Sequence, residues 1–398
     1  MSLWSGLPIM FLLLSGYPFL LFGFEDSYIL ELEARVYPID SDDPARFNDD
    51  AAVSFEPEWR QTFNQGNTIA TFTPFGRWSS RDSQRRHTDV RELNVLHVSD
   101  SWETLAGFSK VFWGVTESNH LVDIINQTDQ LEGFDGEDKL GQQMIRISRS
   151  FDQSALTLFV LPGFRERQFL SQDNPLSLPF PIDNDSPLYD SPDEQDHIDF
   201  AARFSGYRGI IDYGFSWFSG TSRQPDFVPG GDGRLIPFYA QIDQLGLDLQ
   251  ITSEAWLWKL EAIRRDFEND ASGEDFSAAV GGFEYSIYGL ADGMFDLGLL
   301  AEYHYDSRDD RATVVFQNDL FAGLRFGFTD AESSEILAGV FVDQDDQSTS
   351  FRVEANRRIF TDARISLEAN LFSNVDPGNA IFYLRDSDYL LLSLEFYF

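Results

Sequence analysis

Hydrophobic and polar residues alternate with a period of two along most of the chain, and the last ten residues show this most clearly. In residues 389–398 one face is wholly apolar and the other is mixed. A period of two indicates a β-strand whose two faces meet different environments. The apolar face carries Leu390, Leu392, Leu394, Phe396 and Phe398, and the mixed face carries Tyr389, Leu391, Ser393, Glu395 and Tyr397.

The same alternation recurs in about 18 segments of roughly ten residues, the length at which a tilted strand crosses a bilayer. The breaks between the segments are alternately short and mostly long, as in barrels with short periplasmic turns and long outer loops. The sequence therefore predicts an all-β fold, a transmembrane antiparallel outer-membrane β-barrel of about 16–18 strands in residues 24–398. The predicted strands cover residues 27–37, 50–60, 67–78, 88–98, 103–113, 142–151, 154–164, 197–206, 209–219, 236–250, 254–266, 277–289, 294–305, 318–328, 334–343, 349–359, 363–372 and 389–398.

Charged residues repeat at the positions that would face the inside of this barrel. In a dry core each of them would need a partner or water, and a water-filled lumen removes that difficulty. A soluble β protein that ends on a core strand is the alternative, but it does not accommodate so many inward charges. We expect the pore to be lined by Glu31, Glu33, Arg35, Glu56, Glu58, Arg60, Arg203, Lys259, Glu261, Glu302, Arg325, Arg352, Glu354, Arg364, Glu368 and Glu395.

The composition supports a barrel and argues against other classes of protein. The chain has 38 Phe in 398 residues but a mean hydropathy of only −0.27, which fits apolar outer faces and a polar lumen. The formal net charge of −37 argues against a nucleic-acid partner. The acidic loop segments 183–185, 193–196 and 343–346 indicate either cation-favouring vestibules or solvated loops. The chain has no cysteine, so no disulfide or thiolate metal site is predicted.

Residues 1–23 contain an apolar run interrupted by Pro8, Gly16 and Pro18, which we interpret as a secretory signal peptide. No Lys or Arg precedes the run and no A-x-A site follows it, so an uncleaved anchor or a misassigned start codon stays open. No later stretch approaches the roughly 20 apolar residues of a membrane helix. Strands must therefore span any membrane.

The segment 114–141 is long for a loop and is not polar throughout. Its residues Leu121, Val122, Ile124 and Ile125 need burial. We therefore expect this segment to fold against the barrel wall inside the pore, where it would set the size limit for solutes. An outer loop packed on its neighbours, or a short helix on the rim, are the alternatives.

Around this loop the chain has Arg91-Glu92-Leu93, then Trp113-Gly114, then Asp123, Asn126 and Asp129. This order resembles a porin-like proteobacterial outer-membrane family of unassigned function, which has an R-E-A segment, then G-R-Q-x-x-x-W-G-x-x-D, then D-x-x-N-P-x-D. The chain departs from the pattern at Ser109-Lys110, at Glu117 and at Gln127. The resemblance, clearest over residues 88–170, implies a barrel and a transport role beside export machinery for lipidic or hydrophobic molecules. The constriction-loop candidates are Trp113, Gly114, Glu117, Asp123, Asn126 and Asp129.

Catalytic chemistry is not indicated, because no nucleophile, metal-binding or phosphate-binding motif is present and the five histidines are dispersed. No cofactor or metal is predicted, and the protein is not expected to be an enzyme. We expect passive diffusion of small hydrophilic solutes across the bacterial outer membrane, selected by size and charge. A barrel of a lipid or hydrophobic-compound export system and a closed structural barrel are the alternatives. The expected partners are the lipid bilayer with lipopolysaccharide, the barrel-assembly machinery, and a second copy or a periplasmic export partner.

The terminal pattern generates a first prediction, that Phe396 and Phe398 form the signal for barrel assembly. Deletion of Phe398 should abolish insertion, because the assembly machinery would lose the apolar aromatic at the chain end. The shift in gel mobility on heating, which marks a folded barrel, measures the outcome. A Phe398→Tyr variant should still assemble, whereas normal assembly of the deletion would contradict the prediction.

Overall fold

The computed structural model describes residues 24–38, 44–133, 136–231, 233–269 and 271–398. Within them, 18 strands form one closed antiparallel sheet, which confirms the predicted barrel. The predicted signal peptide, residues 1–23, lies outside the described residues. Among the described residues no helix is long and apolar enough to cross a membrane.

The barrel strands follow one another around the wall in chain order. They are β1 Phe24–Val36, β2 Asp49–Phe63, β3 Thr68–Ser79, β4 His87–Ser99, β5 Trp102–Ser109, β6 Gln142–Ser150, β7 Ser154–Pro162, β9 Ile198–Arg208, β10 Ile211–Thr221, β13 Gln241–Ser253, β14 Trp256–Phe267, β15 Phe276–Gly289, β16 Phe295–Asp306, β17 Asp319–Phe328, β18 Glu335–Asp343, β19 Thr349–Phe360, β20 Ala363–Ser373 and β21 Tyr389–Tyr397. A separate small sheet joins β8 Leu188–Tyr189, β11 Asp226–Pro229 and β12 Leu235–Tyr239. The short helical turns are α1 Leu290–Gly293 and the 3₁₀ turns Asn64–Gly66, Glu194–Asp196, Asp309–Arg311 and Phe382–Leu384.

The barrel closes where β1 pairs with β21, over the register from Ile29 opposite Tyr397 to Val36 opposite Leu390. The backbone N–H of Phe398 donates to the carbonyl of Tyr28 at 3.0 Å, and the Tyr28 N–H returns a bond to the Phe398 carbonyl at 3.2 Å. The chain end therefore takes part in closure. A closed ladder leaves no row of unpaired backbone groups along a sheet edge.

The outer wall is apolar and carries aromatic residues near both ends of the strands. At the short-turn end Trp256 stacks on Trp258, with ring centroids 5.3 Å apart, and contacts Tyr285 at 4.6 Å. Trp78 and Tyr305 are exposed near the long-loop end. An apolar belt between two aromatic girdles is typical of a barrel in a bilayer, where aromatic rings lie at the interfaces.

Two predicted strands differ from the structure. The segment 236–250 is not one strand, since β12 ends at Tyr239 in the small sheet and β13 begins at Gln241 in the barrel. The predicted strand 103–113 ends at Ser109 as β5. In both cases the alternating pattern extends beyond the part of the segment that lies in the barrel wall, so the pattern alone could not mark where the barrel strand begins or ends.

A β-bulge in β4 was not predicted. The pairing of β3 with β4 shifts by one residue between Thr73 and Pro74. Because of this shift, the consecutive side chains of Arg91 and Glu92 both point into the lumen. A bulge re-aims side chains in this way because one strand carries an extra residue.

The apolar belt generates a second prediction. The Leu392→Lys substitution places a charge on the outer face near the middle of β21 and should destabilise the folded barrel by about 2–4 kcal/mol, as expected for a lysine near the bilayer midplane. The matched control is Ser366→Lys, which adds the same charge to the lumen face of the neighbouring strand and should cost less. Denaturant titration in lipid vesicles measures both, and equal losses would contradict the assignment of faces.

Candidate functional site

The loop of residues 110–141 lies inside the barrel and packs on its inner wall. Val122 and Ile125 are fully buried, in one cluster with lumen-facing side chains of the wall. Burial of large aliphatic side chains stabilises this position through the hydrophobic effect. The wall residues of the cluster are Leu105, Met144, Phe159, Leu161, Ala201, Phe218, Ile242, Ile263, Phe276 and Ala278.

Glu261 on β14 holds the first part of this loop by its backbone. Its Oε1 accepts hydrogen bonds from the N–H groups of Val115 at 2.7 Å and Thr116 at 3.1 Å. Its Oε2 accepts from the N–H of Val122 at 3.2 Å. His120 Nδ1 lies 3.6 Å from Oε1. Glu261 was predicted to line the pore, and the structure places it fully buried beneath the loop.

Glu302 on β16 holds the adjoining part of the loop in the same way. It accepts hydrogen bonds from the N–H groups of Glu117 at 2.8 Å and Ser118 at 2.9 Å, and from the Ser118 hydroxyl. The Ser118 hydroxyl also lies 2.8 Å from His304 Nε2. Two wall carboxylates therefore take the place of a secondary-structure partner for the loop, whose buried backbone N–H groups need acceptors.

Asn126 fixes the loop to the strands at its two ends. Its Oδ1 accepts from the N–H of Val111 at 2.9 Å, and its Nδ2 donates to the carbonyls of Ser109 at 2.9 Å and Leu140 at 2.8 Å. One buried amide therefore joins the segments that leave β5 and enter β6. This accounts for an asparagine at this position.

Gly114 and Asp123 shape the turn between these contacts. Gly114 has φ of +154°, and a Cβ atom there would come within 2.7 Å of His120 Nδ1. Asp123 accepts a hydrogen bond from the N–H of Trp113 at 3.3 Å and lies 3.2 Å from Lys139 Nζ. The close approach of His120 requires a residue without a side chain at position 114.

The other end of the loop is attached to β3 and β4 by ion pairs. Arg91 Nη1 lies 2.5 Å from Asp129 Oδ2, and Arg77 Nη2 lies 2.7 Å from Glu132 Oε2. Glu92, the second residue at the bulge, accepts a hydrogen bond from the Ser109 hydroxyl at 3.0 Å. The bulge therefore supplies two consecutive side chains that hold the loop and its preceding strand.

Glu117 extends from the loop to the wall strands β14 and β17. Its carboxylate lies 2.7 Å from Arg325 Nη2 and 3.3 Å from Lys259 Nζ. The pKa of Glu117 is lowered, because the two cations outweigh the burial that would raise it. Arg325 also pairs with Glu335 at 2.6 Å and with Glu284 at 3.5 Å. These ion pairs join the loop to a charged row on the neighbouring strands β14, β15, β17 and β18.

A second loop, residues 163–197, also crosses the mouth of the barrel, and the sequence did not indicate this. Leu176 is buried in a cluster with Tyr37 and Leu384, which belong to loops on the other side of the mouth. Asn174 Nδ2 donates to Asp82 Oδ2 at 2.7 Å, and Arg165 Nη2 lies 2.7 Å from Asp89 Oδ1. The two loops together narrow the lumen.

Between the loops and the wall lies a cavity of about 460 Å³. Its apolar lining includes Leu121, Ile124, Phe169, Phe276, Phe316, Phe372 and Tyr383. The charged side chains among the described residues that line it are Lys139, Arg167, Arg223, Arg265 and Arg352, and the acids Asp123 and Asp306. Cations therefore outnumber anions around this cavity.

Two of these guanidinium groups are bound by neutral acceptors. Arg167 donates to Gln127 Oε1 at 3.2 Å and to the Arg223 carbonyl at 2.9 Å. Arg265 donates twice to Gln244 Oε1, at 2.9 and 2.7 Å. Burial lowers the pKa of Arg167 to about 10, so it stays charged at neutral pH. Within the described part of the chain, neither group lies within 4.0 Å of a carboxylate oxygen.

The other predicted pore-lining residues have inward positions along the wall. Glu31 and Glu33 pair with Arg77 at 2.9 and 2.6 Å, and Arg203 pairs with Asp248 at 2.8 Å. Arg352 pairs with Glu354, and Glu368 accepts a hydrogen bond from the Tyr389 hydroxyl at 2.5 Å. Arg35 is buried over the Tyr389 ring, and Glu56 lies 4.0 Å from Arg91. The remaining predicted residues lie toward the short-turn end and are Glu58, Arg60, Arg364 and Glu395.

Sequence reasoning missed several residues of the site. Arg77, Arg85, Arg167, Arg223 and Arg265 were not candidates, although they hold the loop or line the cavity. Arg265 shares the inward face of its strand with Lys259 and Glu261, so the alternation could have found it. Arg85, Arg167 and Arg223 lie in loops, where no alternating pattern marks an inward face.

Known structures share this fold at low sequence identity. OccK5 (OpdH) of Pseudomonas aeruginosa matches with a TM-score of 0.55 and 11% identity over 94% of this chain and 97% of that chain. OccAB3 of Acinetobacter baumannii matches with a TM-score of 0.56 and 9% identity over 94% of this chain and 99% of that chain. A BenF-like porin from Pseudomonas fluorescens matches with a TM-score of 0.55 and 9% identity over 94% of this chain and 98% of that chain. No protein-family model and no curated protein matches the sequence, so the resemblance to a family of unassigned function stays a prediction.

The loop anchors generate a third prediction. Glu261→Ala should increase the rate of amide hydrogen exchange at Val115, Thr116 and Val122 at least about tenfold, because three buried N–H groups lose their acceptor. The barrel strands should keep their protection. Glu332→Ala, in a turn at the short-turn end, is the control and should leave the loop unchanged. Equal exchange in the two variants would show that Glu261 does not hold the loop.

Proposed function

We propose that the protein is an outer-membrane channel through which small solutes diffuse passively, selected by size and charge. The observation that carries the proposal is a closed barrel with an apolar outer belt and a charged lumen, which the loop of residues 110–141 narrows without filling. Such a barrel provides a polar route across a membrane. Its similarity in fold to the BenF-like porin supports the proposal.

The arrangement of the loops supports an orientation in the membrane. The short turns would face the periplasm and the long loops the outside, as in other outer-membrane barrels. The lipid bilayer and lipopolysaccharide would contact the belt, and the assembly machinery would act on β21. A second copy or a periplasmic partner is a further proposal that follows from the barrel class alone.

The cavity lining favours anionic solutes that also have an apolar part. Its cationic groups include Arg167 and Arg265, which have neutral partners, and the apolar side chains lie beside them. An anion there would be attracted by charges in a partly desolvated place, where electrostatic interactions are stronger than in water. The acidic loops suggested cation-favouring vestibules, and the cationic lining favours the opposite.

Export of a lipid or hydrophobic compound is the second candidate, and the apolar side of the cavity favours it. In that case the lumen would serve as a conduit or as a docking surface for a partner. Conduction of ions by the isolated protein separates the two functions, because only the diffusion channel needs to be open without a partner.

The fourth prediction concerns single-channel current of the refolded protein in a planar bilayer. We expect stable open steps and, in a salt gradient, a reversal potential that favours anions. Arg265→Gln should reduce the anion preference, because it removes a charge from the cavity. Glu117→Ala should increase the conductance, because it removes the carboxylate that bridges loop and wall.

Arg264→Gln is the matched control, because Arg264 is the neighbouring residue on the same strand and does not line the cavity. Its side chain is half exposed and lies 2.6 Å from the carboxylate of Asp266. It should leave the anion preference unchanged. A folded barrel that never conducts would contradict the diffusion channel and favour the export or closed structural barrel. Cation preference in the wild type would contradict the assignment of charge selection.

A further inference from the structure

Three side chains with metal-binding atoms meet where the loop of residues 110–141 is attached to the wall. His87 is the first residue of β4, and Asp129 and Glu132 belong to the loop. One ligand atom from each lies within 4.8 Å of the others, and His87 Nε2 is 3.4 Å from Glu132 Oε1. Two ligands about 2.0–2.1 Å from one tetrahedral ion are roughly 3.3 Å apart, so this pair already has a suitable spacing.

Several of these atoms are buried without a hydrogen-bond partner. Among the described residues, the two ring nitrogens of His87 and the Oε1 atom of Glu132 all lack a hydrogen-bond partner. The Glu132 side chain is only 7% exposed. Buried polar atoms are nearly always satisfied in folded proteins, because an unsatisfied one costs free energy. A bound group at this place would satisfy them.

The surrounding ion-pair network has more carboxylates than guanidinium groups. It contains seven carboxylates and five arginines, an excess of two negative charges if all are ionised. The carboxylates are Glu31, Glu33, Asp50, Glu56, Asp89, Asp129 and Glu132, and the arginines are Arg35, Arg77, Arg85, Arg91 and Arg165.

The existing ion pairs leave ligand atoms available. Arg77 occupies Glu132 Oε2 at 2.7 Å and Arg91 occupies Asp129 Oδ2 at 2.5 Å. Glu132 Oε1 lies 3.4 Å from His87 Nε2, and Asp129 Oδ1 accepts only a 3.3 Å bond from the Leu131 N–H among the described contacts. Arg91 Nη2 stays 4.0 Å from Glu132 Oε1.

We propose that His87, Asp129 and Glu132 bind one divalent transition-metal ion of the zinc class, with water completing its coordination. One imidazole nitrogen with two carboxylate oxygens is a ligand set that suits zinc, whereas calcium and magnesium prefer oxygen ligands alone. The ion would compensate the two excess negative charges. It would also join the loop to β4 and so stabilise the constricted lumen.

Zinc binding to the tag-free, EDTA-treated and refolded barrel tests this proposal, independently of whether the channel conducts. We expect about one zinc ion per chain by equilibrium dialysis with elemental analysis, and a higher midpoint of thermal unfolding that EDTA reverses. Calcium at the same concentration should cause no such shift. His87→Ala should weaken zinc binding at least about tenfold, because it removes the only nitrogen ligand.

His97→Ala is the matched control, because His97 lies on the same strand, is exposed and contacts only the Thr68 hydroxyl at 2.9 Å among the described hydrogen bonds. It should bind zinc as the wild type does. If His87→Ala does not fold, as judged by its gel mobility on heating, His87→Gln keeps the size of the side chain and takes its place. No zinc on the wild type, or equal zinc on wild type and the folded His87 variant, would overturn the proposal.

Discussion

Closure of the backbone ladder between β1 and β21 is the constraint on which the rest of the structure depends. A backbone N–H or C=O group that faces hydrocarbon without a partner is costly, so a sheet in a bilayer cannot keep an open edge. The mutual bonds of Tyr28 and Phe398 join the first and last strands. Once the sheet is closed, each side chain faces either the outer wall or the lumen, and the two faces have different solvents.

The charged residues that face the lumen hold the loop of residues 110–141 in place. Glu261 and Glu302 use their carboxylates as acceptors for loop N–H groups, and Arg91 and Arg77 pair with loop carboxylates. A loop without regular secondary structure can be buried only if its backbone groups find such partners. The same side chains therefore form the wall of the passage and hold the segment that narrows it.

The charge of the whole chain does not describe the charge of its passage. The formal net charge is −37, yet five of the seven charged side chains that line the cavity beneath the loops are cationic, including Arg167 and Arg265. Charges in a cavity act on a solute at short range with little screening, whereas exposed loop acids are screened by salt. The charge around the narrow part of the lumen therefore depends on which few side chains the fold brings there.

The sequence by itself determined the barrel, a strand number of about 16–18 and the inward face of most strands, because the direction of a side chain in a strand alternates residue by residue. The pattern that ends at Phe398, and the apolar residues Val122 and Ile125 that required burial, could be interpreted from local order alone. Only the tertiary structure decided the bulge at Arg91, the second loop across the mouth, and the meeting of Lys139, Arg167 and Arg265 around one cavity. Those features depend on contacts between segments far apart in the chain, and a periodic pattern carries no information about such contacts.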